Sequence, residues 1–240
     1  MKLRRYFQIA IALCVFTTAA VALSQQQQPA APRFIPEDHR PALFLRETFN
    51  DPPKGLTQEF ITPAYINNQK LELKLYGPGK GEVQVVKHDS PKDEPSYIWT
   101  GLVEKGNWAV MLREKDNYVD LSGPVAKLRW RTKQAGFHLL RPVLKLADGT
   151  MLVGDYAEAY SVDWHESEVP IANIRWRGLD GERVVEATDG RVRENVDLRK
   201  VDEIGFTDMS VGAGHGAGGS TRLDWIEVYG NPVKRTGSTN

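Results

Sequence analysis

The stretch Val196–Gly230 decides the fold. It reads V-D-L-R-K-V-D-E-I-G-F-T-D from Val196 to Asp208, G-A-G-H-G-A-G-G-S from Gly212 to Ser220, and R-L-D-W-I-E-V-Y-G from Arg222 to Gly230. Val201–Thr207 and Arg222–Tyr229 mix β-branched and aromatic residues in short runs, the pattern of strands, and the glycine-rich link can continue neither. Gly214, Gly216 and Gly219 fit G-x-G-x-x-G, but that fingerprint needs a helix behind it to present its N-terminus to a pyrophosphate. A strand follows instead, and no Lys-Ser/Thr pair completes a P-loop. The link reads as a flexible connection at the end of a sheet, where binding chemistry commonly sits.

Outward from it, short strands recur. Leu43–Phe49 is a first strand, ended by Asn50-Asp51-Pro52-Pro53 because proline removes ladder donors. Leu71, Leu73 and Leu75 alternate with Glu72 and Lys74, a half-buried strand closed by Gly77–Gly81. His88–Pro95 is a charged, proline-bearing loop; Trp99–Leu102 and Trp108–Arg113 follow as strands. In Val125–Thr132, Ala126, Leu128 and Trp130 share one face, and Lys127, Arg129 and Arg131 the other.

Three Asp-Gly pairs predict two-residue hairpin loops in which both positions take positive φ. Asp148-Gly149 would join Phe137–Leu146 to Thr150–Val153. Asp180-Gly181 would set Leu179 opposite Glu182, Trp176 opposite Val185 and Arg175 opposite Glu186. Asp189-Gly190 would set Thr188 opposite Arg191, Ala187 opposite Val192 and Glu186 opposite Arg193. The two counts agree, placing Ile174, Trp176, Val185, Ala187 and Val192 on a buried side and a charge row of Arg175, Glu186 and Arg193 on the other. No segment carries sustained helical periodicity with caps, although Tyr156–Ser167 has room for a turn. Many short strands without a long helix predict an all-β, antiparallel β-sandwich of jelly-roll type. Val119-Asp120-Leu121-Ser122, leading to Leu128-Arg129-Trp130, echoes Val196-Asp197-Leu198-Arg199, leading to Ile204-Gly205-Phe206.

At 240 residues the chain suits one sandwich of about 200 residues with flanking segments. Residues 1–24 read as a secretory signal peptide, with Lys2, Arg4 and Arg5 before an apolar run and small residues Ala20, Ala22 and Ser24 at its end. Residues 25–39 are a glutamine- and proline-rich tether, 40–233 the domain and 234–240 a tail. The only cysteine, Cys14, falls in the leader, so the exported chain needs no disulfide. Without Lys2, Arg4 and Arg5 it carries 28 basic against 31 acidic residues, which argues against nucleic acid as a partner. A secreted or periplasmic address with no membrane attachment follows from the leader.

The V-D-L-S and V-D-L-R-K-V-D-E-I-G-F entries and the closing L-D-W-I-E-V-Y-G strand resemble galactose-binding-like jelly rolls, over Leu43–Tyr229. That group contains many non-catalytic carbohydrate-binding modules and complex-I-intermediate-associated-type domains. The resemblance implies sugar binding, protein contact or lipid-head recognition. It also implies a structural calcium between the first and last strands, to which Glu47, Asp51, Asp224 and Glu227 are the nearest acidic residues.

Two clusters are candidates for chemistry. In an extended Tyr156-Ala157-Glu158-Ala159-Tyr160, both rings and the carboxylate share one face, a sugar-stacking arrangement with an acceptor between the platforms; the competing reading makes both tyrosines core residues. Asp163-Trp164-His165-Glu166 packs acids, an imidazole and a ring together, but neighbours in a strand point to opposite faces, so Asp163 can cooperate only with His165 and Trp164 only with Glu166. No nucleophile, base and orienting group occur as a set, and the five histidines lack zinc-ligand spacing. The expected function is an exported, non-catalytic module binding extracellular carbohydrate through Tyr156, Glu158, Tyr160, Asp163, Trp164 and His165. A structural or protein-binding jelly roll and a polysaccharide-active enzyme stay open.

Overall fold

Outward-facing alternate residues on β-branched and aromatic strands leave one apolar face per strand, and two such faces close on each other. The computed structural model describes residues 40–88, 94–210 and 219–235. In chain order the strands are β1 (Leu43–Glu47), β2 (Gln58–Phe60), β3 (Leu71–Tyr76), β4 (Gln84–Val86), β5 (Tyr97–Trp99), β6 (Trp108–Glu114), β7 (Asn117–Asp120) and β8 (Lys127–Thr132). They continue as β9 (Arg141–Leu146), β10 (Met151–Gly154), β11 (His165–Pro170), β12 (Trp176–Asp180), β13 (Val185–Glu186), β14 (Val201–Asp208), β15 (Arg222–Tyr229) and β16 (Asn231–Lys234). Among the described residues they form two antiparallel sheets, an antiparallel β-sandwich of jelly-roll type. A seven-stranded sheet runs β11-β8-β15-β5-β4-β2, with β1 also on β15. A nine-stranded sheet runs β13-β12-β10-β9-β14-β6-β3, with β7 and β16 at its side.

The two arms of the deciding stretch are strands as read, β14 and β15, and they lie in different sheets. The core holds Trp108, Trp130, Phe206, Ile98, Leu128, Leu144, Leu152 and Ile226, all at most 2% exposed, with Trp108 and Phe206 edge to face at 6.0 Å. β8 shows the expected alternation, with Leu128 and Trp130 inward and Lys127, Arg129 and Arg131 outward. The two V-D-L segments meet: Leu121 N donates to Leu198 O, and Val119 pairs with Val201.

Several strand limits differ from the sequence reading. The chain turns directly after β5, so Trp99 ends a strand that was expected to run to Leu102. Phe137–Leu140 is irregular, with Gly136 at φ +68°, and the strand begins at Arg141. The leader and tether (1–39), the core of the glycine link (211–218), part of the charged loop (89–93) and residues 236–240 of the tail lie outside the described residues.

The Asp-Gly loops depart from the two-residue form for one physical reason: each aspartate side chain captures backbone N–H groups ahead of it. Asp148 Oδ1 accepts from Thr150 N, only Gly149 has positive φ, and Leu146 N bonds Thr150 O, a three-residue loop. Gly149→Ala is expected to cost about 1 kcal/mol through its φ of +90°, read as a lowered thermal midpoint. Asp180 Oδ1 accepts from Glu182 N and Arg183 N, and Val184 N closes on Asp180 O at 2.7 Å, so Gly181–Val184 form one helical turn. Glu186 consequently stands opposite Leu179, not Arg175. An even slip keeps the β13 side chains on their faces, and Trp176 is still buried, whereas Val192, paired with Arg177, lies on the face opposite Trp176. At Asp189-Gly190 the chain bulges away and returns to β12, with Val192 bridging Arg177 and Arg193 N bonding Trp176 O. The charge row therefore does not form: Arg175 pairs with Asp155, Glu186 with Arg141 and Arg177, and Arg193 with Asp189.

Candidate functional site

The outer face of the seven-stranded sheet divides into a closed half and an open half. On β8 the outward cations are met by carboxylates from both neighbouring strands. Lys127 bonds Glu168 at 2.8 Å, Arg129 bonds Glu227 at 3.2 Å and Glu166 at 3.3 Å, and Arg131 bonds Asp224 at 2.7 Å. Trp225 lies against the guanidinium groups of both Arg46 and Arg129, 5.3 and 5.6 Å from its ring, and is 8% exposed. A lattice so complete offers a ligand neither an unpaired charge nor an open ring.

Lys133, next outward along this edge, lies 3.8 Å from Asp163, too far for a hydrogen bond. There the open half begins. A cleft of about 350 Å³ is lined by His88, Glu94, Tyr97, Lys133, Gln134, Tyr160, Ser161, Val162 and Arg222. A shallower one of about 210 Å³ is lined by Gln58, Val86, His88, Tyr97, Trp99 and Arg222. His88, Tyr97 and Arg222 belong to both, so the two read as one groove over β15, β5, β4 and β2. Burial, with Glu94 adding to it, pushes the Tyr97 phenol up against the pull of Arg222, leaving a neutral hydroxyl at the groove. A larger hollow of about 670 Å³ lies on the opposite sheet beside Tyr76, Met151 and Leu179. The Tyr76 hydroxyl there is already tied to Glu203 and Lys145, so the smaller groove holds the better set of hydrogen-bonding groups.

The residues expected at a site are split by the fold. Tyr160, 63% exposed, lines the groove, and exposed Asp163 lies at its rim against Lys133. Trp164 is half-buried, edge-on to Tyr97 at 5.3 Å and under Arg131 at 5.2 Å. Tyr156, Glu158 and His165 are drawn together instead at the inner side of the sheet. Glu158 is 6% exposed and accepts from Trp130 Nε1 at 2.9 Å and from the Tyr156 hydroxyl, with His165 Nε2 at 2.8 Å. Burial alone would raise the Glu158 carboxyl, but hydrogen bonds from Ser167, Tyr156, His165 and Trp130 outweigh it and hold the group below its ordinary range. Burial, then the bond to Glu158, pushes the Tyr156 phenol up to about 12. Tyr156 thus packs against the core, facing Trp130, rather than forming a second platform beside Tyr160.

The acidic residues nearest a calcium position are held apart in separate networks. Glu47 accepts the backbone N–H groups of Phe49, Asn67 and Asn68. Asp51 accepts from Ser96, Asp224 from Arg131, and Glu227 from Arg46, Arg129 and Tyr229. Burial raises the Asp224 carboxyl despite Arg131, a poor state for a metal ligand. Among the described residues no group of three or more His, Cys, Asp or Glu could hold a metal ion, so these residues do not fit the ion that the resemblance implied.

Tyr97, Trp99 and Arg222 escaped the sequence reading. The signal was available in Tyr97-Ile98-Trp99, where an inward isoleucine puts both rings on the other face.

No protein-family model matches the chain, and no curated protein matches it in sequence. Among solved structures it is similar to a family 11 carbohydrate-binding module of a cellulosomal cellulase of Clostridium thermocellum, at 13% identity and a TM-score of 0.37, over 77% of this chain and 95% of that one. A family 29 carbohydrate-binding module is similar at 11% identity and a TM-score of 0.39, over 72% of this chain and 86% of that one. An exo-beta-agarase is similar at 11% identity and a TM-score of 0.37, over 75% of this chain and 25% of that one. Among the described residues no helix is long and apolar enough to cross a membrane.

Proposed function

We propose that this protein is a secreted or periplasmic, non-catalytic module that binds extracellular carbohydrate through the groove on its seven-stranded sheet. Residues 1–24 act as leader, 25–39 as tether and 40–233 as the binding domain. One observation carries the reading: the groove combines a half-buried Trp99 and an exposed Tyr160 with a ring of varied polar groups, His88, Glu94, Lys133, Arg222 and the Tyr97 hydroxyl. Aromatic faces cover the apolar C–H side of a sugar ring, while its hydroxyls need both donors and acceptors around the edge. The groove supplies both.

The test is depletion of the protein by insoluble neutral and acidic polysaccharides, with released reducing sugar measured in the same samples. Binding without release is expected, and Tyr160→Ala should weaken it about tenfold. Release of sugar would promote an enzyme reading instead. A protein-contact role is the second reading, favoured by Phe137 and Val162, exposed by 84% and 82% on adjoining connections. Retention by no polysaccharide would leave that reading in place.

A further inference from the structure

Strand register places Phe60 opposite Gln84, Gln84 opposite Trp99, and Trp99 opposite Arg222. These residues therefore form a straight row across β2, β4, β5 and β15, on the outer face, since Val85 and Ile98 between them point into the core. Phe60 is 56% exposed and Trp99 half-buried, so both rings reach solvent. Gln84 lies between them, 6% exposed, and its Oε1 is buried with no hydrogen-bond partner among the described residues. A side-chain amide left without a partner between two accessible rings is costly unless something else bonds it.

The spacing identifies what that is. Adjacent strands lie about 5 Å apart, so Phe60 and Trp99, two steps apart, stand about 10 Å from each other, and the row to Arg222 spans about 15 Å. In an extended β-1,4-linked glycan the rings advance along a nearly straight line, and the two-residue repeat matches the distance between the two aromatic positions. An α-1,4-linked chain coils and cannot lie along a straight row. Resting on the carbohydrate-binding reading of this groove, we infer that the row Phe60–Gln84–Trp99–Arg222 is a ladder for an extended β-linked chain running across the strands. Phe60 and Trp99 stack on alternate sugars. The Gln84 amide, turned so that its oxygen reaches the surface, bonds a hydroxyl of the sugar between them, and the Arg222 guanidinium bonds those of the next. The length fits an internal segment of about four residues, so chain ends are not required.

The test is calorimetric titration of the protein with cellohexaose, xylohexaose, mannohexaose and maltohexaose. At least one of the first three is expected to bind, and maltohexaose to give no heat of binding. Phe60→Ala should weaken the binding about tenfold. Gln84→Met, which keeps side-chain length, should weaken it about fivefold without lowering the thermal midpoint, because the amide oxygen has no partner to lose among the described residues. Phe137→Ala, outside the groove, is the control and should leave affinity unchanged. Equal binding of maltohexaose would overturn the inference. So would unchanged affinity in both Phe60→Ala and Gln84→Met while Tyr160→Ala still weakens binding, an outcome that removes the ladder and leaves the groove reading standing. Failure of all four hexaoses also overturns the ladder, and retention on polysaccharides then decides separately whether the groove binds carbohydrate at all.

Discussion

Replacing Glu158 by alanine is expected to destabilise the domain by about 3–5 kcal/mol, the cost of removing one member of a buried charged network. Trp130 Nε1, the Tyr156 hydroxyl and His165 Nε2 would all lose the acceptor that now binds them, and Trp130 is wholly buried. Glu158→Gln keeps one carbonyl acceptor and should cost less. Denaturant midpoints at neutral pH read the difference, and a loss below about 1 kcal/mol for Glu158→Ala would show that the network contributes little. The same carboxylate makes stability depend on pH. Its folded pKa is held below the ordinary 4.5, so its contribution is complete above that value and is lost as pH falls through the lower folded pKa. Asp208 has the same sign: burial raises it, but the His138 bond and the Thr221 hydroxyl outweigh burial. The wild-type unfolding midpoint should therefore fall on acidification below about pH 4, more steeply than that of Glu158→Gln.

Gly205→Ala is the second large effect, expected at about 3 kcal/mol. Gly205 is the centre of β14, paired with Met111 on one side and Val143 on the other. A Cβ there would stand 2.0 Å from the carbonyl oxygen of Val110 and 2.7 Å from Met111 Cα, backbone atoms that cannot rotate aside. β14 and β6 would have to separate, loosening the ladder that carries Trp108 and Phe206 into the core. Circular dichroism melts would record the fall, and a midpoint within a degree or two of wild type would mean that the strands tolerate the separation.

The sandwich was legible wherever burial imposes period two, because the pattern in β8 or β3 is written by the core and by nothing else. Trp130 inward and Arg131 outward follow from alternation alone. The Asp-Gly loops were misread because dipeptide type does not reveal where an aspartate side chain will bond. At Asp180 it draws two N–H groups into a helical turn and moves the register of β13 along β12. The candidate site was half legible. Tyr160 and Asp163 reach the groove, but Tyr156 and Glu158 are drawn inward because Trp130, two strands of sequence away, carries a buried N–H that needs an acceptor. Phe60, Gln84, Trp99 and Arg222 come from four separate segments, and only strand order makes them a row.

The central claim is that carbohydrate binds over Trp99 on the open half of the seven-stranded sheet. It is tested most directly by titrating wild-type protein and Trp99→Ala side by side with whichever hexaose or soluble polysaccharide binds the wild type. Loss of about thirtyfold in affinity, with the unfolding midpoint preserved, is the predicted result. Unchanged affinity in a folded Trp99→Ala protein would contradict it.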